Sequence, residues 1–217
     1  IARESGARRV GVAWFDYEHR VRWSVHGEEW FHAASTIKVP VLVGVFGAIR
    51  DGRFTTESRV HVRNRFFSSH DGTPFRVAVD RDANSAVHAQ IGRTMKIREL
   101  AHHMISTSSN LATNLLVDLV GVEQVRETLE GLGINGIEFH RGVEDERAWE
   151  AGLNNRVTAN GLLETLRRIA EKRAFSEEAS AQMLEILHAQ EFKSGIPAGL
   201  PENARVAHKT GEISSVA

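Results

Sequence analysis

The chain has no cysteine, which excludes disulfide bridges and thiol chemistry and leaves both oxidising and reducing compartments open. It has no run of about 18 or more apolar residues, so no segment reads as a membrane-spanning helix. It lacks a dominant charge: 27 lysines and arginines stand against 28 acidic residues, and a net charge of -1 offers no field to draw in nucleic acid or an anionic membrane. The expected partner is a small molecule. It also lacks internal repeats and low-complexity linkers, so its 217 residues, 41% of them hydrophobic, read as one domain able to bury a substantial core. The first residue is Ile1 rather than Met, as when a leader has been removed or left out.

What is present divides into a β-rich start and a helical middle. Runs at Val10 to Asp16 and Val21 to Val25, rich in β-branched and aromatic residues and joined by Tyr17-Glu18-His19-Arg20, read as a strand hairpin. From Ser35 to about Arg50, apolar residues at Ile37, Val41, Val45 and Ala48 follow a helical spacing that stops at Asp51-Gly52. Pro40 is tolerated there because an early helical N–H has no partner to lose. The stretch from Thr55 to Arg93 has weak periodicity and several turn signals, and no element is assigned to it. Ile97, Leu100, Ala101, Met104 and Ile105 then mark one buried helix face, and Leu111, Leu115 and Leu119 another that ends at Gly121. Further helices are expected at Val122 to Leu132, Thr158 to Lys172 and Ser176 to His188, with Thr158 and Ser176 as N-caps. A loop with Gly195, Pro197, Gly199 and Pro201 leads to an expected strand, Arg205 to Lys209. Strands at both ends of a helical middle argue an α+β fold with helices packed on an antiparallel sheet.

Three short motifs carry chemistry. Ser35-Thr36-Ile37-Lys38 places a serine and a lysine at i and i+3, on one helix face. A serine hydroxyl attacks only once a base takes its proton, and a lysine serves only if burial or a second cation lowers its pKa. Lys209 is that second cation if the motifs converge. A helix start also aims the Ser35 N–H at a developing oxyanion. In Ser108-Ser109-Asn110, between two helices, Ser108 would relay a proton to the leaving group and Asn110 would bind a substrate amide. In Lys209-Thr210-Gly211, Lys209 and Thr210 would hold a substrate carboxylate, Gly211 would let the ligand lie against the strand without a Cβ in the way, and the Glu212 N–H would be the second oxyanion donor. Each motif alone arises freely by chance or as a cap or strand end.

All three in this order resemble the penicillin-recognising serine hydrolases, and most closely the class A β-lactamase family. The resemblance covers nearly the whole chain, including residues 104 to 116 around the second motif. It implies a β-lactamase/transpeptidase-like fold, with a helical lobe beside the sheet, and opening of β-lactam rings through an acyl-enzyme on Ser35. It implies no metal or cofactor, and it implies export to the periplasm or medium. It also implies a glutamate and an asparagine that hold the water releasing the acyl group, for which Glu150 and Asn154 are the candidates. A D,D-peptidase, a small-ester hydrolase or a slowly deacylating β-lactam-binding sensor shares the same first step.

Three departures qualify the resemblance. Ser109 stands where class A enzymes usually carry aspartate. The passage from Asn154 to Thr158 is several residues shorter than the class A loop that fixes the glutamate, as in a related group of serine hydrolases lacking that loop. Family members also follow the Lys-Thr-Gly strand with two more strands and a helix, for which Ala217 comes too early, so the expectation is either that the sequence is incomplete there or that a further polypeptide segment completes the sheet. Eleven histidines are present, but the adjacent His102 and His103 point to different helix faces and no metal-ligand spacing appears.

Overall fold

The computed structural model describes residues 7–213. The first two strands, β1 (Val12–Asp16) and β2 (Val21–Val25), pair antiparallel with Trp14 opposite Trp23. Their turn is set by Asp16, whose Oδ1 accepts the Glu18 N–H at 2.8 Å, and by Arg20 at φ 54°. After β3 (Phe31–His32), a 3₁₀ turn over Ala34–Ile37 runs directly into α1 (Lys38–Arg50), and Gly52 at φ 72° follows its end.

Helix α1 is the axis of the molecule. Every residue from Lys38 to Ala48 is buried, as expected of a helix that is apolar all round. It lies between α3 (Asn110–Val120) and α4 (Val122–Gly131), with α2 (Ile97–Ser106) and the C-terminal helices α6 (Ala159–Ala170) and α7 (Glu177–His188) completing the surround. Two glycines set the α1–α4 spacing. A Cβ at Gly44 would stand 2.7 Å from Val125 Cγ2, and one at Gly47 2.7 Å from Thr128 Cγ2, so only glycine lets the backbones approach this closely.

The expected caps are present: Thr158 Oγ1 accepts the Gly161 N–H at 2.9 Å and Ser176 Oγ that of Ala179 at 3.1 Å. The unassigned stretch forms β4 (Arg59–His61), β5 (Phe66–Phe67) and β6 (Pro74–Phe75). Strand β4 pairs with β7 (Thr94–Lys96), and β5 with β6. Strands β8 (Ile137–Glu138) and β9 (Arg156–Val157) join β3 in a three-stranded sheet of order β3-β9-β8. The described residues form an α+β fold of packed helices and small antiparallel sheets.

One expected element is corrected. Arg205 to Lys209 is not a strand: among the described residues no ladder pairs with it, and without a paired neighbour a strand does not form. Its backbone is held instead by the His208 N–H donating to the Leu187 carbonyl at 3.2 Å.

Candidate active site

Four segments converge at the N-terminal end of α1. Lys38, its first residue, is fully buried although it is charged in its ordinary state. Its ammonium donates to Ser108 O at 2.6 Å, Ser108 Oγ at 3.0 Å and Asn110 Oδ1 at 2.7 Å, which uses all three of its protons. Lys209 reaches the same hydroxyl from the opposite end of the chain, donating to Ser108 Oγ at 2.9 Å and to the Thr210 carbonyl at 2.8 Å.

Ser108 Oγ thus accepts from two lysines. A hydroxyl has two lone pairs and one proton, so both acceptor sites are filled and the O–H is left free to donate elsewhere. Ser108 sits at φ 58°, a left-handed backbone that costs a non-glycine residue roughly 1–2 kcal/mol. That turn swings its carbonyl and its hydroxyl toward Lys38 together.

Burial and the second cation tune Lys38. Burial pulls the Lys38 ammonium down to about 7, with the Lys209 charge adding to the effect and Asp82 and Glu144 opposing it. Burial also lowers Lys209 to about 8. Near neutrality Lys38 is therefore divided between ammonium and amine, and the amine can accept a proton.

Ser35 is half-buried in the 3₁₀ turn, whose first N–H groups have no intrahelical partner. Among the described residues no hydrogen bond reaches its Oγ. A Cβ on Gly211 would lie 3.1 Å from Ser35 N and 2.9 Å from Thr36 N, so the third motif lies against the first, and a side chain at 211 would crowd the Ser35 amide. Thr210 is half-buried beside them, and Glu212 is exposed.

A second glutamate, Glu144, stands at the site besides the expected Glu150. Glu150 ends the short helix α5 (Glu146–Glu150) and is exposed, its side chain making no hydrogen bond or ion pair among the described residues. Asn154 is half-buried, and its Oδ1 has no partner among them. Glu144 stands next to Asn110: its Oε1 accepts the Asn110 Nδ2–H at 3.2 Å, and its Oε2 accepts from Arg81 Nε at 2.9 Å. It too is held at a positive φ, 60°. Its outer side borders a cavity of about 350 Å³ shared with Phe75, Arg81 and Arg147.

The loop that carries Glu144 is tied down bond by bond. Asn114 of α3 accepts the Val143 N–H and donates to the Val143 carbonyl, both at 2.8 Å. Asn155 accepts the His140 N–H at 2.8 Å and returns a bond to Arg141 O at 2.9 Å. Buried Arg141 donates to Leu153 O at 3.0 Å. Neither Glu144 nor Asp82 was found from sequence, because each lies in an aperiodic loop where a carboxylate has no spacing to mark it. Among the described residues no group of three His, Asp or Glu side chains is placed to hold a metal ion.

A family model described as the Beta-lactamase enzyme family matches residues 1–217. The chain belongs to the β-lactamase enzyme family. Among curated relatives, β-lactamase VEB-1 of Pseudomonas aeruginosa is 21% identical over 210 residues, 94% of this chain and 66% of that protein. A β-lactamase of Bacteroides uniformis is 24% identical over 209 residues, 93% of this chain and 66% of that one. The chain thus spans about two thirds of their length. Among solved structures, a β-lactamase from Sphaerobacter thermophilus superposes with a TM-score of 0.78 at 24% identity, covering 98% of this chain and 76% of that one. PBP-A superposes at 0.75 and 25% identity, with 96% and 74% covered.

Proposed function

We propose that this family member is a serine hydrolase that opens β-lactam rings through an acyl-enzyme on Ser35. The observation that supports the reading most is the Ser108 hydroxyl held between Lys38 and Lys209 with its own proton free. In the proposed reaction the Lys38 amine takes the Ser35 proton as Oγ bonds to the lactam carbonyl carbon. Charge on the carbonyl oxygen meets the Ser35 and Glu212 N–H groups. The ring C–N bond then breaks, the Ser108 O–H gives its proton to the departing nitrogen, and Lys38 returns a proton to Ser108. Lys209 and Thr210 hold the substrate carboxylate by charge-assisted bonds.

Release of the acyl group needs a water and a base. Glu150 with Asn154 is the pair that the family resemblance supports. Exposure of Glu150 supports slow release, so a burst of one equivalent followed by slow turnover is expected, as in a slowly deacylating binding protein. Export to the periplasm or medium belongs to the same proposal and rests on family membership. Among the described residues no helix is long and apolar enough to cross a membrane.

The test is intact-protein mass after mixing with benzylpenicillin, followed in time. A transient or lasting adduct that maps to Ser35 and is lost in Ser35→Ala supports the reading. No adduct, or an adduct on another residue, rejects it.

A further inference from the structure

The Asp82 side chain is wholly buried, yet it belongs to a loop remote in sequence from every motif residue. It accepts from Asn110 N at 2.5 Å, Leu111 N at 3.1 Å and Ser109 Oγ at 3.1 Å, and His88 Nε2 lies 3.1 Å from the same carboxylate. Asn110 N meets Oδ1, and Leu111 N, Ser109 Oγ and His88 Nε2 crowd around Oδ2, so both oxygens are engaged. The two backbone N–H groups belong to the first turn of α3, where N–H groups lack intrahelical partners and a negative charge is favoured.

Ser109 completes the arrangement. Its hydroxyl gives its proton to Asp82 and accepts the Ala112 N–H at 3.1 Å, so the N-cap and the buried carboxylate form one chain of bonds. The neighbouring Arg81 carbonyl accepts the Asn110 Nδ2–H at 2.8 Å. Consecutive residues 81 and 82 therefore fix both the main chain and the side chain of Asn110. The Ser108 turn, with its positive φ, is pinned immediately before the residues they hold. Serine at position 109 has a hydroxyl and no carboxylate, and the loop supplies one from 27 positions upstream.

We propose that Asp82 is a positioning residue for acylation. Acting through Ser109 and the α3 N-terminus, it holds Ser108 and Asn110 in the geometry that Lys38 requires. The carboxylate that orients the second motif is thus carried by a separate loop rather than by the motif. The kinetic part of this inference rests on the acylation reading given above.

The experiment uses the full chain with three variants, Asp82→Asn, Ser109→Ala and the double change Asp82→Asn with Ser109→Asp. Two readouts are taken: the rate of benzylpenicillin adduct formation by mass, and hydrogen exchange at the Asn110 and Leu111 amides. Asp82→Asn replaces an acceptor by an NH₂ facing N–H donors, so adduct formation should slow about 10- to 100-fold, the scale set by misplacing a catalytic group. Both amides should exchange faster. Ser109→Ala keeps the carboxylate and should slow the reaction less, and it serves if Asp82→Asn fails to fold. Restoring a carboxylate at 109 should recover most of both losses, which a general loss of packing would not allow. Asp82→Asn that folds and reacts at the parent rate overturns the inference, as does a folded double variant with no recovery. An unsubstituted protein that forms no adduct defeats the acylation reading instead, and amide exchange then decides the role of Asp82 by itself.

Discussion

Removing the Lys209 charge should displace the pH profile of acylation upward. Both ammonium groups touch one oxygen, Lys38 at 3.0 Å and Lys209 at 2.9 Å, so their nitrogens cannot be more than about 6 Å apart. At 6 Å two unit charges repel by roughly 3 kcal/mol at an effective dielectric of 20, equivalent to about two pH units. Lys38 acts as a base only when deprotonated, and its pKa is about 7 with Lys209 present. The acid limb of acylation should therefore rise through pH 7 in the parent protein. In Lys209→Gln the ammonium form of Lys38 is less penalised, so the limb should move up by roughly one to two pH units. The assay is single-turnover acylation by an uncharged activated ester, which needs no carboxylate anchor, from pH 5.5 to 10. At pH 7 the variant should be about 5- to 50-fold slower, with roughly half or more of the rate returning by pH 9. A limb that stays at pH 7 would show that burial alone sets the Lys38 pKa, or that another group is the base.

Three further outcomes are expected. Lys209→Ala should cost carboxylate-bearing substrates about 1.5–3 kcal/mol beyond its effect on the neutral ester, measured as the ratio of acylation constants, and equal losses would remove the anchor role. Glu144→Gln and Glu150→Gln, compared by adduct lifetime, should separate the two carboxylates: the residue that activates water prolongs the adduct without slowing its formation, and unchanged lifetimes in both would point to another group. Gly47→Val should destabilise the protein by about 1–3 kcal/mol through overpacking against Thr128, read as a lowered melting temperature, and an unchanged melting temperature would mean that α1 and α4 separate freely.

Helices α3, α6 and α7 were readable because each carries two independent signals, a 3.6-residue apolar face and a side-chain N-cap, whereas α1 was marked by its apolar spacing and the Asp51-Gly52 stop alone. Ser109 shows what such signals can hide. Its cap role is visible in sequence, but its bond to Asp82 is not, because a loop reaching back across the fold leaves no periodic trace. The same holds for the β3-β9-β8 sheet, whose strands of two residues are too short for alternation to register. Arg205 to Lys209 failed in the other direction: an apolar run satisfies a strand pattern, but strand identity depends on a paired neighbour. Within the site, residues on motifs were named from sequence, whereas the carboxylates that surround Lys38 were not.

A helix sealed on every side has little freedom to drift. Lys38 begins α1, and the glycine seam with α4 fixes the helix against translation, so the base is anchored to the least adjustable part of the protein. The stretch from His140 to Glu144 has the opposite character, because it is tied down chiefly by polar contacts from Asn114, Asn155 and Arg141. Changes in which molecules this protein accepts, whether selected in nature or in the laboratory, should accumulate along that loop while α1 stays unaltered. On the proposed function, the lysine used for acylation is tied to the core, while the contacts that hold the Glu144 loop can be exchanged one at a time.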